Sequence, residues 1–258
     1  MELFYRRFGS GQPFIILHGL FGMSDNWLSL AKRFAENYNV FLLDLRNHGQ
    51  SPHDAQFNYR VLSDDLLQFI DDHHLKDIIL LGHSLGGKTI MNFALNHSEL
   101  PQKLIIVDIA RREYETSRFR SILQTMRSLP INEIKSRAEA ENYLSSAIHQ
   151  KGLRLFLLKN IMRDVHNRFK WKLNVDDLLN NIDAISQRID GTHPFTKPVL
   201  LVYGGKSDYV KTEDIVGLKR LFPALDSEVI PGTTHWLHAE APDEFYRIVM
   251  NFLFDNQN

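Results

Sequence analysis

Short apolar runs recur along the chain at strand length: PFIILHG (13–19), NVFLLDL (39–45), DIILLGH (77–83), KLIIVDI (103–109), PVLLVYGG (198–205) and DSEVIPG (226–232). Most are rich in Ile, Leu and Val and do not alternate with polar residues, which predicts strands buried on both faces of a parallel sheet. Between most of them apolar residues return at helical spacing, over 24–37, 59–74 and 86–97, and again over 242–253 after the last run. Strands alternating with helices predict an α/β architecture, a mostly parallel sheet covered by helices.

One interval breaks the rhythm. From 110 to 195 no comparable strand run occurs, only helix-forming stretches such as FRSILQTMRSL and AEAENYLSSAI. An interval of that length is not a bare loop. The reading is a core made of 1–109 and 196–258, with a helical lid, 110–195, seated above the end of the sheet. Residues 111–190 carry 15 Lys and Arg against 10 Asp and Glu, the rest of the chain 15 against 21. The ordinary account of a basic helical surface is that it faces water.

Composition narrows the function. The 258 residues are 43% apolar, enough for a sizeable core in one large α/β domain or two small ones. Thirty basic and thirty-one acidic residues give a net charge of −1, which provides no overall basic field for nucleic acid. The absence of cysteine removes thiol nucleophiles, disulfides and thiolate metal sites. The opening MELFYRRFGSGQ resembles neither a secretory signal nor a membrane span, so the expected location is cytoplasmic.

The chemistry concentrates in LLGHSLGGKT (80–89). Gly82-His83-Ser84-Leu85-Gly86 fits G-x-S-x-G, and it lies between a predicted strand and a predicted helix, the context in which the motif means a nucleophile elbow. The strained turn aims the Ser84 hydroxyl away from the sheet, and glycines two residues to either side avoid collisions with neighbouring chain. The following helix turns its N–H groups and positive dipole end toward the site, where Leu85 N–H suits a developing oxyanion. The other reading of Ser84 is a simple helix cap. A second donor, Leu20 or Phe21, is offered by LHGLFG (17–22), which ends an earlier strand.

A serine hydroxyl needs a base. Of the twelve histidines, His235 follows the last strand in VIPGTTHWLHAEAPDEF and is brought back over the sheet edge from which Ser84 projects. His238 is its competitor. His18 and His83 adjoin the motifs and read as structural, and His73 and His74 read as a solvated helix end. No carboxylate and histidine pair stands at metal-ligand spacing.

Strands, Ser84, insertion and His235 occur in an order that resembles the α/β-hydrolase fold. More narrowly, LDLRNHGQSP (43–52), VDIA (107–110), GGKSDYV (204–210) and HWLHAEAP (235–242) resemble the bacterial YbfF-type esterases and their mitochondrial ABHD relatives. The resemblance implies a serine hydrolase of carboxylic esters, extending to acyl-CoA thioesters, that works without a cofactor on a small-molecule substrate. It also implies a triad acid, for which two aspartates stand at strand ends. Asp208 follows the penultimate strand, where most of the wider fold keeps its acid. Asp108 follows the strand beside that of Ser84, where the YbfF-like group keeps it, and the resemblance favours this one, with Ser207 as a hydrogen-bond helper. Spacing alone does not choose between them.

Arg111 and Arg112, in ARREYETSRFR beside the expected pocket, could pair with a phosphate or carboxylate of the substrate, as coenzyme A esters would require. Dehalogenase and epoxide hydrolase chemistry needs a carboxylate where Ser84 stands. Cofactor-free haloperoxidases and carbon–carbon bond hydrolases share the serine, and a ligand-binding protein on the same scaffold is the non-enzymatic alternative.

Overall fold

The structure is a computed structural model that describes residues 1–255. Its main sheet is built from β1 (Tyr5–Phe8), β2 (Pro13–Leu17), β3 (Asn39–Leu43), β4 (Ile78–His83), β5 (Pro101–Val107), β8 (Val199–Gly204) and β9 (Leu225–Ile230), in the order β1-β3-β2-β4-β5-β8-β9. All neighbours are parallel except β1, which runs antiparallel to β3 at the edge. The result is a mostly parallel sheet covered by helices, as the strand pattern predicts.

Side-chain alternation explains the unbroken apolar runs. Ile15 and Leu17 of β2, Ile78 and Leu80 of β4, and Leu104 and Ile106 of β5 enter one core layer. Phe14 and Ile16, Ile79 and Leu81, and Ile105 and Val107 enter the other. Each strand therefore needs apolar residues at every position. The first layer is closed by α2 (Tyr59–Asp72) and α3 (Leu85–Asn96), the second by α1 (Leu28–Phe34) and α10 (Pro242–Asp255). His73, expected to be a solvated helix end, is half-buried, with its ring 4.4 Å from that of Phe69.

Between β5 and β8 the chain forms α4 (Ser117–Ser128), α5 (Arg137–Ser145), α6 (Lys151–Leu158) and α7 (Val175–Asn180). It also forms a hairpin of β6 (Ile161–Arg163) and β7 (Phe169–Trp171), which corrects the expectation of helices alone. Strands of three residues are too short to raise a period-two signal. Downstream lie α8 (Thr212–Lys219) and a short α9 (Leu237–Glu240).

The return of this insertion to the body is pinned by polar groups. Tyr59 Oη donates to Ile185 O at 2.5 Å, and Lys88 Nζ donates to Ser186 O and Gln187 O at 3.0 and 2.6 Å. Lys88 sits on α3, one turn after Ser84, is 1% exposed, and faces the ring of Tyr114 at 4.9 Å. Burial, with Arg112 acting in the same direction and Glu113 against it, pushes its pKa down from 10.5 to about 7. Its pKa is lower in the folded state, so the unfolded chain binds more protons between those values and stability rises with pH across the window. Chemical denaturation at pH 7 and pH 9.5 is therefore expected to show wild type gaining on Lys88→Met as pH rises, by about 1.4 kcal/mol per pH unit at most. A constant difference between the two proteins would contradict the assigned environment of Lys88.

Candidate active site

The turn from β4 into α3 places Ser84 at φ 52° and ψ −112°, in the left-handed half of backbone space that non-glycine residues seldom occupy. Its amide is held by Val107 O at 3.0 Å and its carbonyl by Lys88 N at 3.0 Å. The glycines allow the close approach behind the turn. A Cβ on Gly82 would come within 2.3 Å of Gly86 O, and one on Gly86 within 2.5 Å of Leu17 O.

Asp108 follows β5, the strand next to β4, and it too has a positive φ, 48°. Its side chain is fully buried and accepts three hydrogen bonds. Gly204 N donates to Oδ1 at 2.9 Å; Ser207 Oγ at 2.5 Å and His235 Nδ1 at 2.6 Å both donate to Oδ2. A carboxylate that accepts a hydrogen bond from Nδ1–H leaves His235 Nε2 as the free basic nitrogen. Asp208 is exposed, and its backbone carbonyl, not its carboxylate, is engaged, by Arg112 at 3.2 Å. Asp108 is thus brought to the imidazole and Ser207 to the Asp108 carboxylate, while the Asp208 carboxylate makes no hydrogen bond to the ring.

Ser84 and His235 line one cavity of about 850 Å³ beneath α4 and α6. Among the described residues the Ser84 hydroxyl makes no hydrogen bond. Catalytic hydrogen bonds are commonly loose before substrate arrives. A smaller cavity of about 40 Å³ adjoins it through Leu20, Ser84, Phe119 and Tyr209.

Four buried histidines build the surroundings. His18 Nδ1 meets Gly19 O at 2.8 Å, which leaves Nε2 to accept Leu45 N at 3.0 Å. His48 likewise meets Arg46 O at 2.9 Å and accepts Phe21 N at 3.3 Å. Phe21 N–H is therefore spent, while Leu20 N–H has no backbone or side-chain acceptor among the described residues. Of the two second donors the sequence allows, Leu20 is the one left free. His83 Nε2 donates to His235 O at 2.9 Å, and His238 stacks on Trp27 at 4.3 Å and 7°. Burial pushes the pKa of His18 to about 4 and of His48 and His238 to about 3, and that of His83 well below 6.5, so all four are neutral scaffold. His238, the competitor for the base, is locked in its stack.

Arg111 and Arg112 are not brought to the cavity. Arg111 is paired with Asp190, and Arg112 with Asp214 at 3.2 Å while lying 4.1 Å over the ring of Tyr114. The cations that do face the cavity are Arg118, Lys159 and Lys206, alongside the acids Asp25, Asp208 and Glu240. Phe21, Phe119, Ile122, Leu153, Phe156 and Trp236 supply its apolar walls. Sequence reasoning missed Tyr209, whose ring stacks on His235 at 3.7 Å and 15°; the only signal was an aromatic residue two positions after Ser207. Among the described residues no three His, Asp or Glu side chains are grouped to hold a metal ion, and no helix is long and apolar enough to cross a membrane.

The strained Ser84 turn and the carboxylate-held His235 imidazole line one cavity at the C-terminal ends of the strands, and residues 12–131 match the family model described as the alpha/beta hydrolase fold. The sn-1-specific diacylglycerol lipase ABHD11 of Mus musculus is 35% identical over 246 residues, which is 93% of this chain and 80% of the relative. Esterase YbfF of Escherichia coli (strain K12) is 31% identical over 95% of this chain and 94% of its own length. A solved structure described as a marine microorganism esterase superposes with a TM-score of 0.95 at 41% identity, covering 97% of this chain and 99% of that one. The chain belongs to the α/β-hydrolase family, as an ester-bond hydrolase of the YbfF/ABHD11 type.

The two aspartates separate the possible wirings. Asp108→Asn is expected to lower kcat by about 10³–10⁴-fold, as loss of the orienting acid does in other triads, and Asp208→Asn by less than about tenfold. Steady-state kinetics on one ester checks both, and the reverse ranking would move the acid to Asp208.

Proposed function

We propose that the chain is a serine carboxylesterase that works by acyl transfer through Ser84, His235 and Asp108. The observation that carries this reading is the 2.6 Å hydrogen bond from His235 Nδ1 to the buried Asp108, made on the rim of the cavity that Ser84 also lines. In the forward step Ser84 Oγ attacks the ester carbonyl and His235 Nε2 takes its proton. Asp108 keeps the imidazole in the right tautomer and stabilises its charged form. The oxyanion is received by the N–H groups of Leu85 and Leu20; Leu85 opens α3, so its amide has no carbonyl one turn earlier to bond. His235 then protonates the departing alcohol, and water, activated by the same nitrogen, releases the acid and regenerates Ser84.

The substrate is a neutral or weakly polar ester with an apolar acyl portion. A cavity of about 850 Å³ walled by Phe119, Ile122, Leu153 and Phe156 suits a group of that kind. The segment 110–195 acts as a cap over this space. The three cations that face it are matched by three acids, of which Asp25 is paired with Arg6 at 2.8 Å and Glu240 is held by Thr234 at 2.7 and 2.6 Å. Acyl-CoA hydrolysis loses the support of Arg111 and Arg112, because both guanidinium groups are already partnered. Esters are therefore the preferred class, with thioesters cleaved only through the shared acyl chemistry.

A panel of p-nitrophenyl esters and acyl-CoA thioesters of matched chain length, run on wild type and Ser84→Ala beside a fluorophosphonate label, tests this. Wild type is expected to label and to hydrolyse esters with the higher kcat/KM. Ser84→Ala is expected to lose labelling and about 10⁴-fold or more of activity. Peroxidase or carbon–carbon cleavage activity without ester turnover, or labelling that survives Ser84→Ala, would contradict it.

A further inference from the structure

One face of His235 is covered by an aromatic ring that the triad chemistry does not call for. Tyr209 lies 3.7 Å from the imidazole, centroid to centroid, with the planes 15° apart. The backbone that carries the ring is held in place. Tyr209 N donates to Ser207 Oγ at 3.3 Å, and Ser207 donates onward to Asp108. Tyr209 O accepts Tyr114 Oη at 2.6 Å, and the same oxygen of Tyr114 accepts Ala110 N at 2.8 Å. The loop after β8 is thus fastened at both sides of Tyr209 to the segment that carries the buried aspartate. On that fastened backbone the ring is packed between His235 and Tyr114, whose ring lies 5.6 Å away at 27°.

We propose that Tyr209 is a positioning residue for the ester hydrolysis: its ring fixes the plane of the His235 imidazole and stabilises the imidazolium that forms as Ser84 is acylated. The inference rests on the assignment of His235 as the base. A cation gains from the negative face of an aromatic ring, and the gain grows where water is excluded. Neutral imidazole gains less, so the stack favours the protonated state, the one the transition state resembles.

The other groups around His235 leave that contribution readable. Asp108 contacts Nδ1 from beyond β5, and His83 at the end of β4 lies 4.6 Å away, ring to ring. His83 and His238 of α9 are held neutral by burial and add no competing charge. Arg118, Arg112, Asp208 and Asp108 act on Tyr209 itself, whose pKa burial pushes up to about 12, so the ring stays a neutral phenol throughout the working range.

The test follows the His235 ring signals by NMR through a pH titration, in wild type, Tyr209→Phe, Tyr209→Leu and a variant carrying pentafluorophenylalanine at 209. Leucine keeps the apolar cover but removes the ring, and the fluorinated ring keeps the shape while reversing the charge of its face. Both are expected to move the midpoint of the His235 signals to lower pH by about half a unit, while phenylalanine preserves it. Tyr209→Leu is also expected to lower kcat about threefold with KM unchanged. If leucine does not yield folded protein, the fluorinated ring decides alone. An unmoved midpoint in the ring-removed or ring-reversed variant, or a shift in phenylalanine equal to that in leucine, would overturn the proposal. The NMR readout needs no turnover, so a wild type inactive on every ester defeats the esterase reading separately.

Discussion

Everything at this site depends on a buried carboxylate that has to be fully hydrogen-bonded. Asp108 has no solvent to fall back on, and an unpaired carboxylate in that position would cost several kcal/mol. Its three donors come from the last residue of β8, the loop after it and the loop after β9, so the aspartate ties three strand ends together. The same bonds that satisfy it orient His235. Stability and chemistry therefore share one set of contacts, and removing a single donor disturbs both.

The arrangement also concentrates strain. Two adjacent strands, β4 and β5, are each followed at once by a non-glycine residue with positive φ, Ser84 at 52° and Asp108 at 48°. Conformations of this kind cost on the order of 1–3 kcal/mol each and persist only where the surroundings over-determine them. Here the surroundings are two apolar layers in which the strands are buried at almost every position, together with a helix, α3, whose start is pressed against β2. The neutral histidines behind the site belong to the same framework. His18, His48 and His83 each bond a backbone carbonyl, and so fix the loops without placing charge near the His235 imidazole.

How much of this the sequence revealed follows the range of the interactions. The central strands were legible because burial on two faces writes an unbroken apolar run, and the Ser84 turn because its glycines lie within four residues. The edge strand β1 was not, since Arg6 and Arg7 stand in the middle of its four residues. Which aspartate meets His235 was open because both follow strands. Burial of Asp108 and exposure of Asp208 are three-dimensional facts. Phe21 and Leu20 looked equivalent until His48, 27 residues away, took one amide. Arg111 and Arg112 looked available because their partners, Asp190 and Asp214, lie 79 and 102 positions further on. The stacking of Tyr209 on His235 is of the same long-range kind.

The most direct measurement is rapid-quench mass spectrometry with an ester whose acyl intermediate hydrolyses slowly, followed by peptide mapping. The account predicts an acyl group that appears on the peptide containing Ser84 within the first turnover and decays at the rate of acid release. Steady turnover with Ser84 unmodified at every time point, or the acyl group found on a different side chain, would contradict it.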